Sequence, residues 1–141
     1  MPKKIIFFTG AGMSAESGIK TFRDADGLWE GHDVMKVASI QGWHADPELV
    51  LDFYNQRRRQ LLESFPNNAH IDIANLQDRF NIQIITQNVD DLHERAGSKQ
   101  VIHLHGELLK SRSVNNFFKT YACKTDIRLG DTNESGHQLR P

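Results

Sequence analysis

Thr9-Gly10-Ala11-Gly12-Met13-Ser14-Ala15-Glu16-Ser17-Gly18-Ile19-Lys20-Thr21-Phe22-Arg23 follows directly on the apolar run Ile5-Ile6-Phe7-Phe8. The β-branched and aromatic run, flanked by Lys3-Lys4 and Thr9-Gly10, reads as a short buried strand. Glycines at 10 and 12 allow a sharp turn and close approach of a ligand to the backbone, while Ser14, Ala15 and Glu16 suit the first turn of a helix. Strand, glycine turn and helix start together make an anion site suited to a pyrophosphate. The dinucleotide fingerprint G-x-G-x-x-G is met at Gly10 and Gly12, with Ala15 at the third position, where alanine is tolerated. A tight strand-to-helix turn with no ligand would read the same way, so both readings stand at this point.

The next segment, Thr21-Phe22-Arg23-Asp24-Ala25-Asp26-Gly27-Leu28-Trp29, has neither helical nor strand period and reads as a loop. In the bland reading Phe22 and Trp29 pin it to the core. In the sharper one it is a lid over a nucleotide, with Arg23 available to phosphate.

With 141 residues the chain has the length of about one domain. A hydrophobic content of 38%, a charged content of 25% and a net charge of −1 exclude a disordered tail and a broad attraction to nucleic acid. The N-terminal apolar run is too short for a signal peptide or a membrane span, so no membrane partner is expected. A single cysteine, Cys123, excludes an internal disulfide and a four-cysteine zinc site. These features suit a cytoplasmic protein.

Between His32 and Trp43 a loose apolar pattern predicts one short helix and a turn at Gly42. Asp46-Pro47-Glu48 then starts a helix running to about Ser64. Val50, Tyr54, Arg57 and Leu61 share a stripe of it, with Arg58 and Arg59 expected in solvent. Arg57 either snorkels to water or, with the Tyr54 phenol, reads a carboxylate. Asn67 caps a second helix reaching roughly Phe80, in which His70 has a local partner.

Ile82 to Ile85 predicts a second strand, and Gln87, Asn88 and Asp90 follow at its carboxyl end, where open α/β sheets bind ligands. Asn88 could equally cap a helix from Val89 to Ala96, closed by Gly97. Val101 to Leu104 predicts a third strand. His105, beyond its end, suits a proton-transferring base near neutral pH, whereas His103 reads as structural.

Gly10 to Ile19 running into Thr21-Phe22-Arg23 resembles the cofactor loop of sirtuins, the NAD-dependent protein lysine deacylases. Thr86-Gln87-Asn88-Val89-Asp90 and His103-Leu104-His105-Gly106-Glu107 resemble the same family in the expected order, most of all its bacterial CobB-type branch. The resemblance implies an α/β fold: a Rossmann-like parallel sheet with helices on both faces, of which residues 1–109 would be the first half, with an inserted helical segment at about 30–65. Residues 110–141 would be the remnant of a small module. It implies NAD contacts at Gly10, Ala11, Gly12, Ala15, Glu16, Thr21, Phe22, Arg23, Trp29, Gln87, Asn88, Val89 and Asp90, with Asp90 bonding the nicotinamide carboxamide. His105 would be the general base, supported by Asn88. Tyr54 and Arg57 would mark a branch that removes acidic acyl groups such as succinyl, and Ala38 would leave room for the longer acyl chain.

The family's small module usually holds zinc through two cysteine pairs. Here Lys110-Ser111-Arg112-Ser113 has serine where a first cysteine would stand, so no zinc is expected, and the module is held through Phe117, Phe118 and Tyr121 or only partly ordered. The chain stops near the point where the family re-enters its large domain, which implies that about half is missing and leaves a sheet edge open to self-association. The implied reaction takes acyl-lysine proteins or peptides to free lysine, nicotinamide and O-acyl-ADP-ribose. The rival readings are an NAD-binding module without catalysis and a structural fragment.

Overall fold

The computed structural model describes residues 1–20 and 28–141, which fall into two compact units. The first comprises Met1–Thr21 and Glu63–Glu107, and the second Phe22–Leu62 and Leu108–Pro141. The inserted helical segment therefore groups with the C-terminal module, not with the sheet that precedes it.

The first unit is built on a parallel sheet of β1 (Lys4–Thr9), β4 (Asn81–Thr86) and β5 (Val101–His103), in the order β1-β4-β5. Register places Thr9 opposite Thr86 and Thr86 opposite His103, so the three strands end in one row. Parallel strands need crossovers, and helices α1 (Gly12–Ala15), α5 (Asn68–Asn75) and α6 (Leu92–Arg95) lie on them.

Burial alternates along the strands. Ile82, Ile84 and Thr86 are buried, whereas Ile6 and Phe8 on the other face of β1 are 53% and 65% exposed. β1 is thus half-buried, contrary to the fully buried strand expected from its apolar run. Phe8, Ile85 and Ile102 form a row across this open face, and Ile102 and Leu104 are exposed too. Helices α5 and α6 cover the opposite face, where His93 of α6 reaches the row of strand ends. The parallel sheet with its crossover helices is the α/β, Rossmann-like arrangement expected.

Asn67 caps α5 as expected, its side chain accepting from the Ala69 amide while the His70 ring accepts from the Asn67 amide. The α-helix gives way to a 3-10 turn at Leu76–Asp78, short of Phe80. Gly97, at φ 106°, follows α6 in the left-handed conformation that glycine accommodates best. No helix among the described residues is long and apolar enough to cross a membrane.

The second unit holds a ribbon of β2 (Leu28–Trp29) and β3 (His32–Asp33), helices α2 (Val34–Val37), α3 (Ile40–Ala45) and α4 (Pro47–Leu62), and an antiparallel sheet of β6 (Lys110–Ser113), β7 (Asn116–Ala122) and β8 (Leu139–Arg140). Where one helix and a turn at Gly42 were expected, two short helices stand. Gly42 lies inside α3, and a Cβ there would meet the Lys36 carbonyl oxygen at 2.1 Å, so the position admits only glycine without a backbone shift. Helix α4 starts as predicted, with Asp46 accepting from the Leu49 amide.

Trp43, Val50, Leu51, Cys123 and Ile127 form the core of this unit, with Tyr54 and Leu139 packed against it. The expectation of a solvated Arg58 is wrong: Arg58 is buried, donating to the Leu108 carbonyl at 3.1 Å and to Asn55 at 2.8 Å. Asn55 in turn exchanges two bonds with the Ile127 backbone, both at 2.8 Å. Phe117 and Phe118 do not hold the module together, being 64% and 93% exposed. Phe118→Ser should therefore leave unfolding free energy within about 0.5 kcal/mol of wild type in a urea titration.

Candidate functional site

The carboxyl ends of β1 and β4 are fused by side chains. Thr9 donates its hydroxyl to Thr86 at 2.8 Å, and the Asn88 amide N–H donates to the same Thr86 oxygen at 3.0 Å. Asn88 Nδ2 reaches the Gly10 carbonyl at 2.9 Å, and Ser14 donates to Asp90 Oδ2 at 2.7 Å. Asp90 Oδ1 accepts from the Leu92 amide at 3.2 Å, so this carboxylate, not Asn88, serves the start of α6. Asn67 adds a third tie, donating to the Met13 carbonyl at 2.8 Å and to Ser17 at 3.0 Å. The glycine loop is thus held by Asn88, Asp90 and Asn67 together.

What the loop leaves open is informative. Met13 and Ser14 donate backwards to Gly10 and Ala11, while the Ala11 and Gly12 amides have no partner among the described residues. Neither Gly10 nor Gly12 has a positive φ, and a Cβ on Gly12 would meet nothing within 4 Å. Glycine at 12 is required by neither backbone nor packing. The space beside it is open, and two amides of the same turn have no partner among the described residues, so the turn can accept an anion. Ala15 and Glu16 are exposed at the end of the single turn of α1, and Gln87 is exposed beside Gly10, with Val89 half-buried.

β5 brings in the histidines. His103 Nδ1 lies 2.8 Å from the Asn88 carbonyl, and Nε2 lies 3.0 Å from Glu94. Burial opposes its charge, but the bonds to Glu94 and the Asn88 carbonyl outweigh burial and raise its pKa. That is a structural pairing, as expected for His103. His105 is exposed in the turn after β5, ahead of Gly106 at φ 83°.

Beneath the row of strand ends lies a pair that the sequence reading did not single out. His93 Nε2 sits 3.0 Å from Thr9 Oγ1. Because Thr9 spends its own proton on Thr86, the hydrogen-bond network assigns the His93 proton to Nε2, leaving Nδ1 a buried acceptor without a partner. His70 accepts at Nδ1 from Asn67, so its Nε2–H is a buried donor without a partner. The rings stand 4.9 Å apart at 72°. Burial, reinforced by His70, pushes the His93 pKa down to about 4, and burial lowers that of His70 as well.

The remaining predicted residues belong to the second unit or lie outside the described residues. Thr21, Phe22 and Arg23 are among the latter. Trp29 packs edge-on to Phe53 at 5.0 Å and to Tyr54 at 6.0 Å. Ala38 is exposed at the C-terminus of α2. Tyr54 is half-buried, and burial, partly offset by Arg140, raises its pKa. The Arg57 guanidinium lies over the Phe53 ring at 5.0 Å, and its Nε is buried without a hydrogen-bond partner among the described residues.

A model of the Sir2 family matches residues 10–137. The chain is 60% identical over 139 residues to an NAD-dependent protein deacylase of Helicobacter pylori, covering 99% of this chain and 61% of that protein. It is 50% identical to a protein of the same name from Bacteroides thetaiotaomicron, covering 62% of it. Among solved structures, a mutant Sir2 homologue in complex with ADP ribose superposes with a TM-score of 0.88 at 40% identity, over 99% of this chain and 57% of that one. A Sir2 homologue in complex with NAD gives 0.85, also at 40% identity, with 56% of its chain covered. The chain thus spans about three fifths of the relatives it matches.

Proposed function

The chain belongs to the Sir2 family, and from that premise we propose that it carries the cofactor loop and the proton-accepting histidine of an NAD-dependent protein-lysine deacylase. The observation that supports this reading is the knot of bonds from Asn88 to Gly10, Ser14 to Asp90 and His103 to Asn88, which gathers three sequence motifs at one sheet edge. The free amides of Ala11 and Gly12 would hold the pyrophosphate of NAD, with Ala15, Glu16, Gln87 and Val89 around them. Thr21, Phe22, Arg23 and Trp29 would belong to the lid. Bound NAD would supply the glycosidic bond to nicotinamide, whose cleavage leaves a ribose carbon open to the acyl oxygen of the modified lysine. Asn88 and Asp90 would face the nicotinamide side. His105, exposed and followed by a glycine, would take a proton from a ribose hydroxyl. The chain's part is positioning more than bond-making.

Substrates on this reading are acyl-lysine proteins or peptides in the cytoplasm. For the acyl group, the buried and unpartnered Nε of Arg57 favours an acidic chain end, since a carboxylate would satisfy it while the Tyr54 phenol adds a third donor. Ala38 would leave space for that chain.

Calorimetry with NAD and release of lysine from acetyl-lysine and succinyl-lysine peptides test the proposal. Arg57→Met is expected to cost desuccinylation about tenfold more than deacetylation in kcat/KM. Equal losses would remove Arg57 as the reader of the acyl carboxylate. Binding of NAD without turnover, matched by His105→Ala, would leave a nucleotide-binding module, and absence of binding would leave a structural fragment, with the sheet edge as its means of self-association.

A further inference from the structure

Glu94, His103 and Glu107 each present one donor atom, and the three atoms lie within 4.8 Å of one another. They come from α6, the last residue of β5 and the loop that follows it. His103 Nε2 stands 3.0 Å from a Glu94 oxygen and 3.8 Å from a Glu107 oxygen. A divalent cation bound at about 2.0 to 2.2 Å holds its ligand atoms about 3.4 Å apart, so the trio is already near the separation that ligation requires.

The back of the imidazole is built for the same purpose. Its side chain is 5% exposed, and Nδ1 is tied to the Asn88 carbonyl at 2.8 Å. A carbonyl there accepts a proton from Nδ1, so Nε2 is the nitrogen left to face the carboxylates. A metal-ligating histidine is oriented in this way, with its outer nitrogen donating to a backbone carbonyl or a carboxylate. A proton on Nε2 shared with Glu94 stands where a cation would, and a metal ion would take its place. The Glu94 and Glu107 side chains are 35% and 29% exposed, so solvent reaches both carboxylates.

We propose that Glu94, His103 and Glu107 form a divalent-cation site of imidazole and carboxylate type, suited to zinc, with one or more positions left for water. This donor set is unrelated to a four-cysteine module, and zinc bound here would run against the expectation from the sequence that the chain holds none. Two of the ligands bracket His105 and Gly106 in sequence, so occupancy fixes both ends of the turn that carries His105. The site itself does not depend on the deacylase reading.

Titration of the tag-free 141-residue chain with zinc chloride, followed by calorimetry, is expected to give one site of micromolar affinity. Glu94→Gln and Glu107→Gln, which keep side-chain shape, should each weaken it at least tenfold, the double variant should abolish it, and far-ultraviolet circular dichroism should be unchanged. Cobalt(II) added in place of zinc should give visible absorption bands in wild type alone. A single-site heat of the same size in the double variant would assign zinc to other groups and overturn the proposal, as would no heat at about 100 μM zinc.

Discussion

Gly12→Ala should fold at least as well as wild type and bind NAD on the order of 100-fold more weakly, a loss of about 2.7 kcal/mol. The two halves of this result have separate causes. A Cβ on Gly12 meets no atom within 4 Å and the residue has no positive φ, so the folded chain accepts alanine without strain. Alanine also restricts the unfolded chain and suits the first position of α1, which favours folding by about 0.4 to 1 kcal/mol. On the proposed reading cofactor binding changes in the other direction, because the added methyl stands in the glycine turn that the pyrophosphate would approach closely. Thermal unfolding and calorimetry with NAD on the same preparation check both halves. Unchanged affinity would show that the cofactor does not approach here. Gly18 supplies the contrast: its φ of 89° makes alanine strained there whatever binds.

Local signals in the chain were legible and distant pairings were not. The start of α4 at Asp46-Pro47, the cap at Asn67 and the strand ends at Thr86 and near His103 each depend on a few neighbouring residues, and each stands close to where the sequence put it. Helix α4 also shows where periodicity misleads. The stripe read from Val50, Tyr54, Arg57 and Leu61 is too narrow: Val50 and Leu61 are buried, but so are Leu51, Asn55 and Arg58, while Tyr54 and Arg57 border the interior. Counting Asn55 and Arg58 as polar hid them, because their partners are carbonyls at Leu108 and Ile127, remote in sequence. The three motifs of the site could be recognised one by one. The bond from Ser14 to Asp90 and the burial of His70 against His93 could not, because pairings that close only in the folded chain leave no pattern in the sequence.

Between pH 6.5 and pH 4 the first unit should lose about 3 kcal/mol of stability through His93 alone. In the unfolded chain this imidazole binds its proton near 6.5, whereas in the folded chain burial and the neighbouring His70 delay protonation to about 4. The unfolded state therefore binds more protons throughout that window, and stability, complete above pH 6.5, falls by about 1.4 kcal/mol for each unit of acidification until the folded ring protonates too. Other groups facing the ring modify this. Asp90 and Glu94 favour its charge, while His70 and His103 oppose it. His70, also lowered by burial, adds loss in the same direction. His103 works in the opposite sense: with its pKa raised, its contribution is complete below the unfolded value and is lost as pH rises through the folded one. His93→Gln keeps an N–H donor for Thr9 and removes the titration. Urea unfolding at pH 7 and pH 5 should show the wild-type loss shrinking by about 2 kcal/mol in the variant. Parallel losses in the two proteins would mean that His93 is already charged in the fold, and that Thr9, Thr86 and Asn88 are held without a neutral imidazole beneath them.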